Sequence, residues 1–348
     1  MVLNFIFGSE KRFFDFISNI SEKDMVGIVS HTDCDGISAA LIISKVIGKL
    51  ESLQLISYDF GAIDKAIEEL KNKKINKVIF ADLFIDNAER VKKMEKFAEI
   101  LFIDHHPSEN DFNSEKTIYL KAESEYPASY LCYYLFSKIQ KIPSWIAALG
   151  ITFDMPNKYN KDNCEQVYKD FGLEKSQGNL WRAYEDVAFA LAAFRNDEKK
   201  IYNLLLDVQL LDNINFDRYT MGIKKEFEEK LREFEKEKEV YKDIIFYYMH
   251  SKYSIKSLLI NKLSSEYPDK TLIFISSKDG KSKMLNVSSR RQDRKVDCNL
   301  LIKEITKTLP NSMGGGHKAA AGALIPREYL NKFKDELIRV YKKFENYS

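Results

Sequence analysis

The feature that most constrains the fold is a regular alternation of short apolar segments and longer amphipathic ones over residues 24–121. Apolar runs that read as strands lie at 24–30, 53–58, 78–81, 99–103 and 117–120. Segments with helical spacing of their apolar residues lie between them, at 37–50, 62–74 and 87–97. Strands that alternate with helices of this length form βαβ units. The sequence therefore predicts an α/β fold, with a parallel sheet that carries helices on both faces.

Acidic residues and histidines stand where three of these predicted strands end. They are His31, Asp33 and Asp35 after the first strand, Asp82 after the third, and Asp104, His105 and His106 after the fourth. In open α/β sheets, ligands bind at the carboxyl ends of the strands. Residues of an extended strand tip alternate in direction, so we expect the first three side chains to point to one side. Taken alone, the histidine pair fits a solvated turn before a proline equally well.

A further acidic residue, Asp154, follows a short predicted helix and lies near Gly150. It completes a set of six nitrogen and oxygen ligands: His31, Asp33, Asp35, Asp82, His105 and Asp154. Six ligands are too many for one tetrahedral site with an open position. They suit two metal ions ~3.5–4 Å apart that share a carboxylate. Without a thiolate, the set favours Mn²⁺ over Zn²⁺, and we expect Asp104 to orient a histidine.

Composition places the chain among globular proteins, with 45% hydrophobic and 30% charged residues in 348. No apolar run approaches the ~18–20 residues of a membrane span. Charged residues interrupt the Phe-rich N-terminus, which predicts an amphipathic helix instead of a signal peptide. The four cysteines are far apart and form no CxxC pair, which favours a reducing compartment. We therefore expect a cytoplasmic protein that does not bind membranes.

Charge is distributed unevenly, although the net charge is only +2. Residues 246–348 carry 20 Lys+Arg against 10 Asp+Glu, and the remainder carries 34 against 42. A basic C-terminal part suggests a polyanionic partner, and a solvated lysine-rich surface is the alternative. From about 180 to 243 the pattern is helical, with an apolar stripe of Phe227, Leu231, Phe234 and Tyr241. We predict three parts: a catalytic domain at 1–185, a helical linker at 186–245 and a smaller α/β domain at 246–348.

Two segments of the last part have the chemistry of anion binding. The first is a Gly-rich stretch from Gly314 to Gly322, which includes Gly315, Gly316, His317 and Lys318 and which we predict to be a loop followed by a helical turn. Its backbone N–H groups would approach an anion closely, and a helix start would add its positive end. The second is Arg290, which with Arg291 follows a predicted strand and would present a guanidinium fork to phosphate. A flexible turn and a solvated arginine pair are the respective alternatives.

In this order, the motifs resemble those of the DHH–DHHA1 phosphoesterases, the RecJ-like group. His31-Thr-Asp33-Cys-Asp35-Gly36 resembles the first motif of that family, and Asp82 its second. Asp104-His105-His106 resembles the motif that gives the family its name, and Asp154 in Gly-Ile-Thr-Phe-Asp the fourth. Ser289-Arg290 and Gly-Gly-Gly-His-Lys resemble the substrate-binding motifs of the DHHA1 domain. The compact size resembles that of archaeal-type members.

The resemblance implies roles for individual residues. One Mn²⁺ would be held by His31, Asp33 and Asp82, and a second by Asp35, Asp82, His105 and Asp154, with Mg²⁺ as the alternative ion. His106 would contact the scissile phosphate, so that the catalytic set comprises Asp35, Asp82, Asp104 and His106. A neighbouring phosphate or terminal nucleotide would be bound by Arg290, Gly314, Gly315, Gly316 and His317. The cleft between the two domains would receive the end of the substrate.

The implied activity is hydrolysis of single-stranded DNA or RNA, or of short oligonucleotides, to nucleoside monophosphates. One alternative is a phosphodiesterase of small substrates: dinucleotides, cyclic dinucleotides or phosphoadenosine phosphate. Another is a replisome component that binds the GINS complex and has secondary nuclease activity; the intact ligand set argues against a purely structural role. The single residue between His31 and Asp33 argues against pyrophosphate, because family II pyrophosphatases have a longer spacing there. The chain is also shorter than bacterial RecJ, which argues against processive degradation of long DNA.

Overall fold

The computed structural model describes residues 3–57, 61–85, 87–155, 158–175, 178–195, 197–277, 282–316 and 318–345. It forms two compact units, Met1–Phe216 and Asp217–Ser348. The division falls inside the range 186–245 that the sequence predicts as a helical linker. In the part of the chain that the structure describes, every helix is too short or too polar to cross a membrane.

The first unit is built on a five-stranded sheet. Its strands are β1 (Val26–His31), β2 (Ser52–Ile56), β3 (Lys77–Ala81), β4 (Glu99–Asp104) and β5 (Thr117–Lys121). Its helices are α1 (Glu10–Ser18), α2 (Cys34–Ile47), α3 (Ala62–Asn72), α4 (Ala88–Glu95), α5 (Ala128–Phe136), α6 (Ser144–Asp154), α7 (Gln166–Asp170), α8 (Leu180–Ala193) and α9 (Glu198–Leu206). A 3-10 turn follows at Leu211–Asn213.

All strand pairs in this sheet are parallel, in the order β2-β1-β3-β4-β5. The chain moves one way along the sheet from β1 to β2 and the other way from β2 onward. Because such crossovers are right-handed, α2 lies on one face and α3 and α4 on the other. Apolar residues of α3 and α4 accordingly pack in one core with alternate residues of the strands, among them Val29, Phe80 and Phe102. The predicted parallel sheet with helices on both faces is confirmed.

The strand order reverses between β1 and β3, and this places the site. In open α/β sheets, ligands bind at the carboxyl ends of the strands where the order reverses. The residues that end or follow β1, β3 and β4 are His31, Asp82 and Asp104. These three strands are neighbours in the sheet, so their carboxyl ends open side by side.

The second unit contains a six-stranded mixed sheet in the order β10-β11-β9-β8-β7-β6. Its strands are β6 (Glu239–Tyr241), β7 (Ile244–Met249), β8 (Thr271–Ser276), β9 (Met284–Arg290), β10 (Met313–Gly316) and β11 (Ala320–Pro326). Its helices are α10 (Asp217–Glu237), α11 (Lys256–Glu266), α12 (Cys298–Thr306) and α13 (Leu330–Glu345). The first turn before α13 is a 3-10 helix at Arg327–Tyr329.

The long helix α10 belongs to this second unit. Its Phe234 is fully buried, with ring centroids 5.4 Å from Tyr247 on β7 and 5.7 Å from Phe274 on β8. Burying aromatic rings of this size dominates the packing of a helix on a sheet. The predicted apolar stripe thus ends earlier than expected, because Tyr241 lies in β6 and not on the helix.

Candidate metal centre

The turn between β1 and α2 differs from the extended tip that the alternation of His31, Asp33 and Asp35 predicts. Helix α2 begins at Cys34, because Asp33 is its N-cap and its side chain accepts a hydrogen bond from the Gly36 amide at 3.0 Å. A Cβ atom on residue 36 would overlap the carbonyl oxygen of His31, so the turn requires glycine. The extended-tip prediction is therefore wrong: Asp35 lies in the first helical turn.

Asp82 is the central residue of the cluster. It follows β3 with a left-handed backbone (φ 56°) and is only 2% exposed. Its Oδ2 lies 3.7 Å from Nδ1 of His31, and its Oδ1 lies 3.4 Å from Nε2 of His105 and 4.0 Å from Nδ1 of His106. The buried Oδ2 accepts no hydrogen bond from the described residues. A single carboxylate thus faces a histidine group on each side.

Two sets of candidate ligands meet at this carboxylate. One consists of His31, Asp33 and Asp82, and the other of Asp82, His105 and His106. Within each set, one ligand atom per residue lies within 4.8 Å of the others. A buried carboxylate oxygen without a donor is costly unless a cation compensates it. The imidazole and carboxylate donors, and the orphaned Oδ2, therefore fit two divalent ions that share Asp82.

Asp35 is buried beside this cluster and is held by the start of α5. Its Oδ2 accepts a hydrogen bond from the Ala128 amide at 2.8 Å, and its Oδ1 accepts bonds from the amide (3.0 Å) and hydroxyl of Ser129. Its Oδ2 also lies 4.0 Å from Nε2 of His105. Burial and the negative charge of Asp82 raise the pKa of the Asp35 carboxyl group. Asp35 thus supports α5 as well as lying next to a candidate ligand.

Asp154 is placed differently from its prediction. It is the last residue of α6 instead of following a shorter helix, and it belongs to neither candidate ligand set. Desolvation by nearby protein atoms raises its pKa to about 6, with a further contribution from Asp82 and opposition from His105. The carboxyl group of Asp154 is therefore within the electrostatic influence of the cluster, and the residue is exposed to solvent.

The adjacent histidines are oriented by different partners. Nδ1 of His105 lies 3.3 Å from the carbonyl oxygen of Ser124, whose hydroxyl donates to the His105 carbonyl at 2.8 Å. Nδ1 of His106 lies 2.8 Å from Oδ1 of the buried Asp104. Partners of this kind fix the tautomer and ring orientation of a histidine. Nε2 of His105 consequently faces Asp82, whereas His106 is held by Asp104.

The electrostatics of the cluster favour bound cations. Burial opposes protonation of His31, but Asp33 and Asp82 outweigh it and raise the pKa of His31 to about 10. The pKa of His105 and that of His106 are raised in the same way, against burial, by Asp82 and Asp104 respectively. Metal binding at His31 and His105 would therefore have to compete with their protonation.

In the second unit, Arg290 ends β9. Its Nε donates a hydrogen bond to Oδ1 of Asn261 at 2.9 Å, and one Nη donates to the Ser289 carbonyl at 3.0 Å. Burial lowers the pKa of its guanidinium group. The neighbouring Arg291 is 4% exposed and forms a two-point ion pair with Asp293, which makes it a structural residue.

The Gly-rich segment is not the loop that the sequence predicts. Gly314, Gly315 and Gly316 form β10, which pairs antiparallel with β11, so a strand and not a helical turn follows them. Gly314 and Gly316 have no room for a Cβ atom, and the Gly316 amide donates to Oδ1 of Asn299 at 3.0 Å. His317 lies outside the described residues. Gly314 and Gly316 are thus required by close strand and helix packing.

Comparison with protein families gives two matches. Residues 25–161 match the N-terminal domain of the DHH family, and residues 243–343 match the DHHA1 domain. Together these matches cover more than half of the chain. Comparison with curated protein sequences gives no match.

Solved structures share the fold over nearly the whole chain. RecJ of Thermus thermophilus, in complex with Mn²⁺, is 13% identical with a TM-score of 0.67; the match covers 98% of this chain and 56% of RecJ. The same protein has also been solved with Mg²⁺. A pGpG-specific phosphodiesterase from Vibrio cholerae is 16% identical (TM-score 0.57, 92% of this chain and 99% of that one). CDC45 from Entamoeba histolytica is 12% identical (TM-score 0.51, 96% and 98%).

The chain spans little more than half the length of the Thermus protein. At these identities, the structural matches establish the fold alone. The DHH match contains the acidic and histidine motifs, and the DHHA1 match that follows it contains Arg290. On this ground, the chain belongs to the DHH–DHHA1 family of phosphoesterases.

Proposed function

We propose that the chain is a Mn²⁺-dependent phosphodiesterase that hydrolyses single-stranded DNA or RNA, or short oligonucleotides, to nucleoside monophosphates. The observation that carries this proposal is the position of Asp82 between two histidine groups, with one oxygen directed to each. A shared carboxylate of this kind is typical of two-metal sites that act on phosphate esters.

One ion would be held by His31, Asp33 and Asp82, and the other by Asp82 and His105 with Asp35 and Asp154 beside them; His106 is left to the substrate. Mn²⁺ in such a site lowers the pKa of a bound water and stabilises charge on phosphoryl oxygens. The chain's own contribution is to orient His106: Asp104 accepts a hydrogen bond from its Nδ1 and stabilises its protonated form. We assign His106 to the scissile phosphate, where a fixed cationic donor stabilises the charge that develops.

The proteins of similar fold support a nucleotide phosphodiester as the substrate, and they leave both long and short chains as candidates. RecJ is a larger protein, of which this chain covers 56%. The pGpG-specific phosphodiesterase is covered over 99% of its length, which favours a dinucleotide or oligonucleotide as the alternative substrate. A role beside the GINS complex is a separate proposal, which co-purification of partners from native extract would test.

The experiment that tests the proposal uses end-labelled DNA and RNA of 2 to 30 nucleotides, incubated with Mn²⁺. We expect stepwise shortening to mononucleotides, and the ladder then gives polarity and preferred length. If dinucleotides were hydrolysed completely and longer chains stayed intact, the nuclease proposal would be wrong and the small-substrate alternative would be supported. Absence of hydrolysis for every substrate would contradict both.

We further propose that Arg290 binds a phosphate away from the scissile bond. Removing a charged hydrogen bond costs about 1.5–3 kcal/mol, which corresponds to a rise in KM of roughly 10- to 150-fold. Arg290→Ala is therefore expected to raise KM for oligonucleotides with little change in kcat, because the contact serves substrate and transition state equally. Bis-p-nitrophenyl phosphate has no second phosphate, so its hydrolysis should be nearly unchanged.

The matched control is Lys295→Ala, which removes a positive charge from an exposed position five residues away. We expect it to change KM much less than Arg290→Ala does. Folding of each variant is checked by its thermal unfolding midpoint. If Arg290→Ala reduced hydrolysis of both substrates equally while folded, a separate phosphate-binding role for Arg290 would be wrong.

A further inference from the structure

Asn261, on α11, contacts Arg290 directly, although no sequence motif contains it. Its side-chain Oδ1 accepts a hydrogen bond from Nε of Arg290 at 2.9 Å. Asn261 is half-buried, and Arg290 is half-buried at the end of β9. The contact joins residues far apart in the chain, one on a helix and the other on a strand of the same unit.

The helical turn that carries Asn261 is itself fixed. Its main-chain oxygen accepts hydrogen bonds from the hydroxyls of Ser264 (2.9 Å) and Ser265 (3.2 Å). The hydroxyl of Ser264 accepts a further bond from the amide of Gln292 at 2.6 Å. Gln292 lies two residues after Arg290, so this network ties α11 to the segment that follows β9. Asn261 is thus held rigidly opposite the guanidinium group.

The guanidinium group is consequently fixed on two of its three nitrogens. Nε donates to Asn261 and Nη1 donates to the carbonyl of Ser289 at 3.0 Å. Nη2 has no hydrogen-bond acceptor among the described residues. The free Nη2 edge of a guanidinium fork is the group that binds a phosphate oxygen.

We infer that Asn261 is a positioning residue that fixes the guanidinium of Arg290 for a substrate phosphate; this rests on the proposed function of Arg290. A free arginine side chain loses considerable rotamer entropy when it binds a ligand. Asn261 imposes that order before the substrate arrives, so binding costs less. Asn261 therefore strengthens substrate binding in the ground state, and its loss should raise KM.

Asn261→Ala is expected to raise KM for oligonucleotides about three- to tenfold, the scale of an ordinary hydrogen bond, because the guanidinium group itself remains to bind the phosphate. Both kcat and the hydrolysis of bis-p-nitrophenyl phosphate should be unchanged. Asn261→Asp keeps the hydrogen-bond acceptor but places a negative charge beside the guanidinium group. That charge weakens the attraction for a phosphate, so the variant should raise KM more than Asn261→Ala does. Ser257→Ala, which changes an exposed side chain on the same helix outside this network, is the matched control and should match wild type.

A double-mutant cycle separates positioning from an independent or merely structural role. If Asn261 acts through Arg290, Asn261→Ala should raise KM in the wild-type background and leave it unchanged in the Arg290→Ala background. Effects that multiply in the double variant would overturn the inference. The inference would also be wrong if Arg290→Ala raised KM and Asn261→Ala did not. In that case the proposed function of Arg290 would still hold. An Arg290→Ala variant with wild-type KM would instead refute the phosphate contact itself, and with it the role of Asn261.

Discussion

Asp82→Asn is expected to reduce turnover roughly 10³-fold or more, on the scale at which residues that act as a unit fail together. The reason is geometric, since the same carboxylate directs Oδ2 to His31 and Oδ1 to His105. Asparagine keeps the shape and one oxygen but removes the negative charge that two divalent ions would share. One substitution therefore weakens the binding of both ions. The measurement is kcat on oligonucleotides with saturating Mn²⁺.

Asparagine is a better substitution than alanine here because of the backbone. Residue 82 has φ 56°, a left-handed conformation that asparagine tolerates and that costs other non-glycine residues about 1–2 kcal/mol. Asp82→Ala should lose as much activity but should also unfold at a lower temperature. The pair of variants thus separates loss of the ligand from loss of stability.

The control is Asp15→Asn, which removes a carboxylate that forms an exposed ion pair with Lys11 on helix α1 of the same unit. Exposed pairs of this kind contribute little to stability, so the variant should be close to wild type in activity and stability. A folded Asp82→Asn protein with more than a tenth of wild-type turnover would exclude Asp82 as a bridging ligand.

The placement of Asp82 was within reach of the sequence, because strand ends can be read from apolar runs. The first, third and fourth runs end where an acid or histidine begins, and parallel strands bring such ends to one edge. That rule alone brings His31, Asp82 and His105 together. It needs no knowledge of the contacts within the cluster.

The local structure of the first motif was not predictable in this way. Alternation of His31, Asp33 and Asp35 is equally compatible with an extended tip and with a cap followed by a helical turn. The N-cap bond from Gly36 to Asp33 decides for the helix. An aspartate three residues before the amide that it caps is a known signal for the start of a helix. The sequence contains this signal, but it also contains the alternation that predicts an extended tip.

The residues that hold the site in place could not be found from sequence. Ser124, which follows β5, donates a hydrogen bond to the His105 carbonyl; Ser129 donates to the Asp35 carboxylate; and Asn261 accepts a hydrogen bond from Arg290, 29 residues away. Serine and asparagine at these positions match no periodic pattern. Glycine usually marks turns, so the sequence predicts a loop for the Gly-rich segment. In the structure, close packing of β10 against β11 and α12 requires glycine instead.

Removal of metal ions is expected to abolish hydrolysis completely. EDTA should bring oligonucleotide turnover to background, and Mn²⁺ should restore more activity than Ca²⁺, since imidazole ligands suit Mn²⁺ better. Full activity in EDTA would contradict the two-metal proposal. The control is a parallel sample that receives EDTA already saturated with Mn²⁺ together with free Mn²⁺, which tests for effects of the chelator itself.

A second measurement is independent of catalysis. Ions that bind only the folded state stabilise it, by about 2.7 kcal/mol at a free concentration of 100 times Kd. Mn²⁺ should therefore raise the unfolding temperature of the wild-type protein. It should raise that of Asp82→Asn much less, because both sites lose the same ligand. An equal rise in both proteins would place the bound ions elsewhere.

The pH dependence of this stabilisation follows from His31. In the metal-free protein its pKa is raised from 6.5 to about 10, so its protonated form stabilises the fold fully below pH 6.5. This contribution is lost progressively as the pH rises toward 10. Bound Mn²⁺ needs the neutral imidazole and replaces that proton. The rise in unfolding temperature at a fixed Mn²⁺ concentration should therefore be larger at pH 9 than at pH 7. A rise that is constant or smaller at pH 9 would show that His31 keeps its proton when the metal binds, and would remove it from the ligand set.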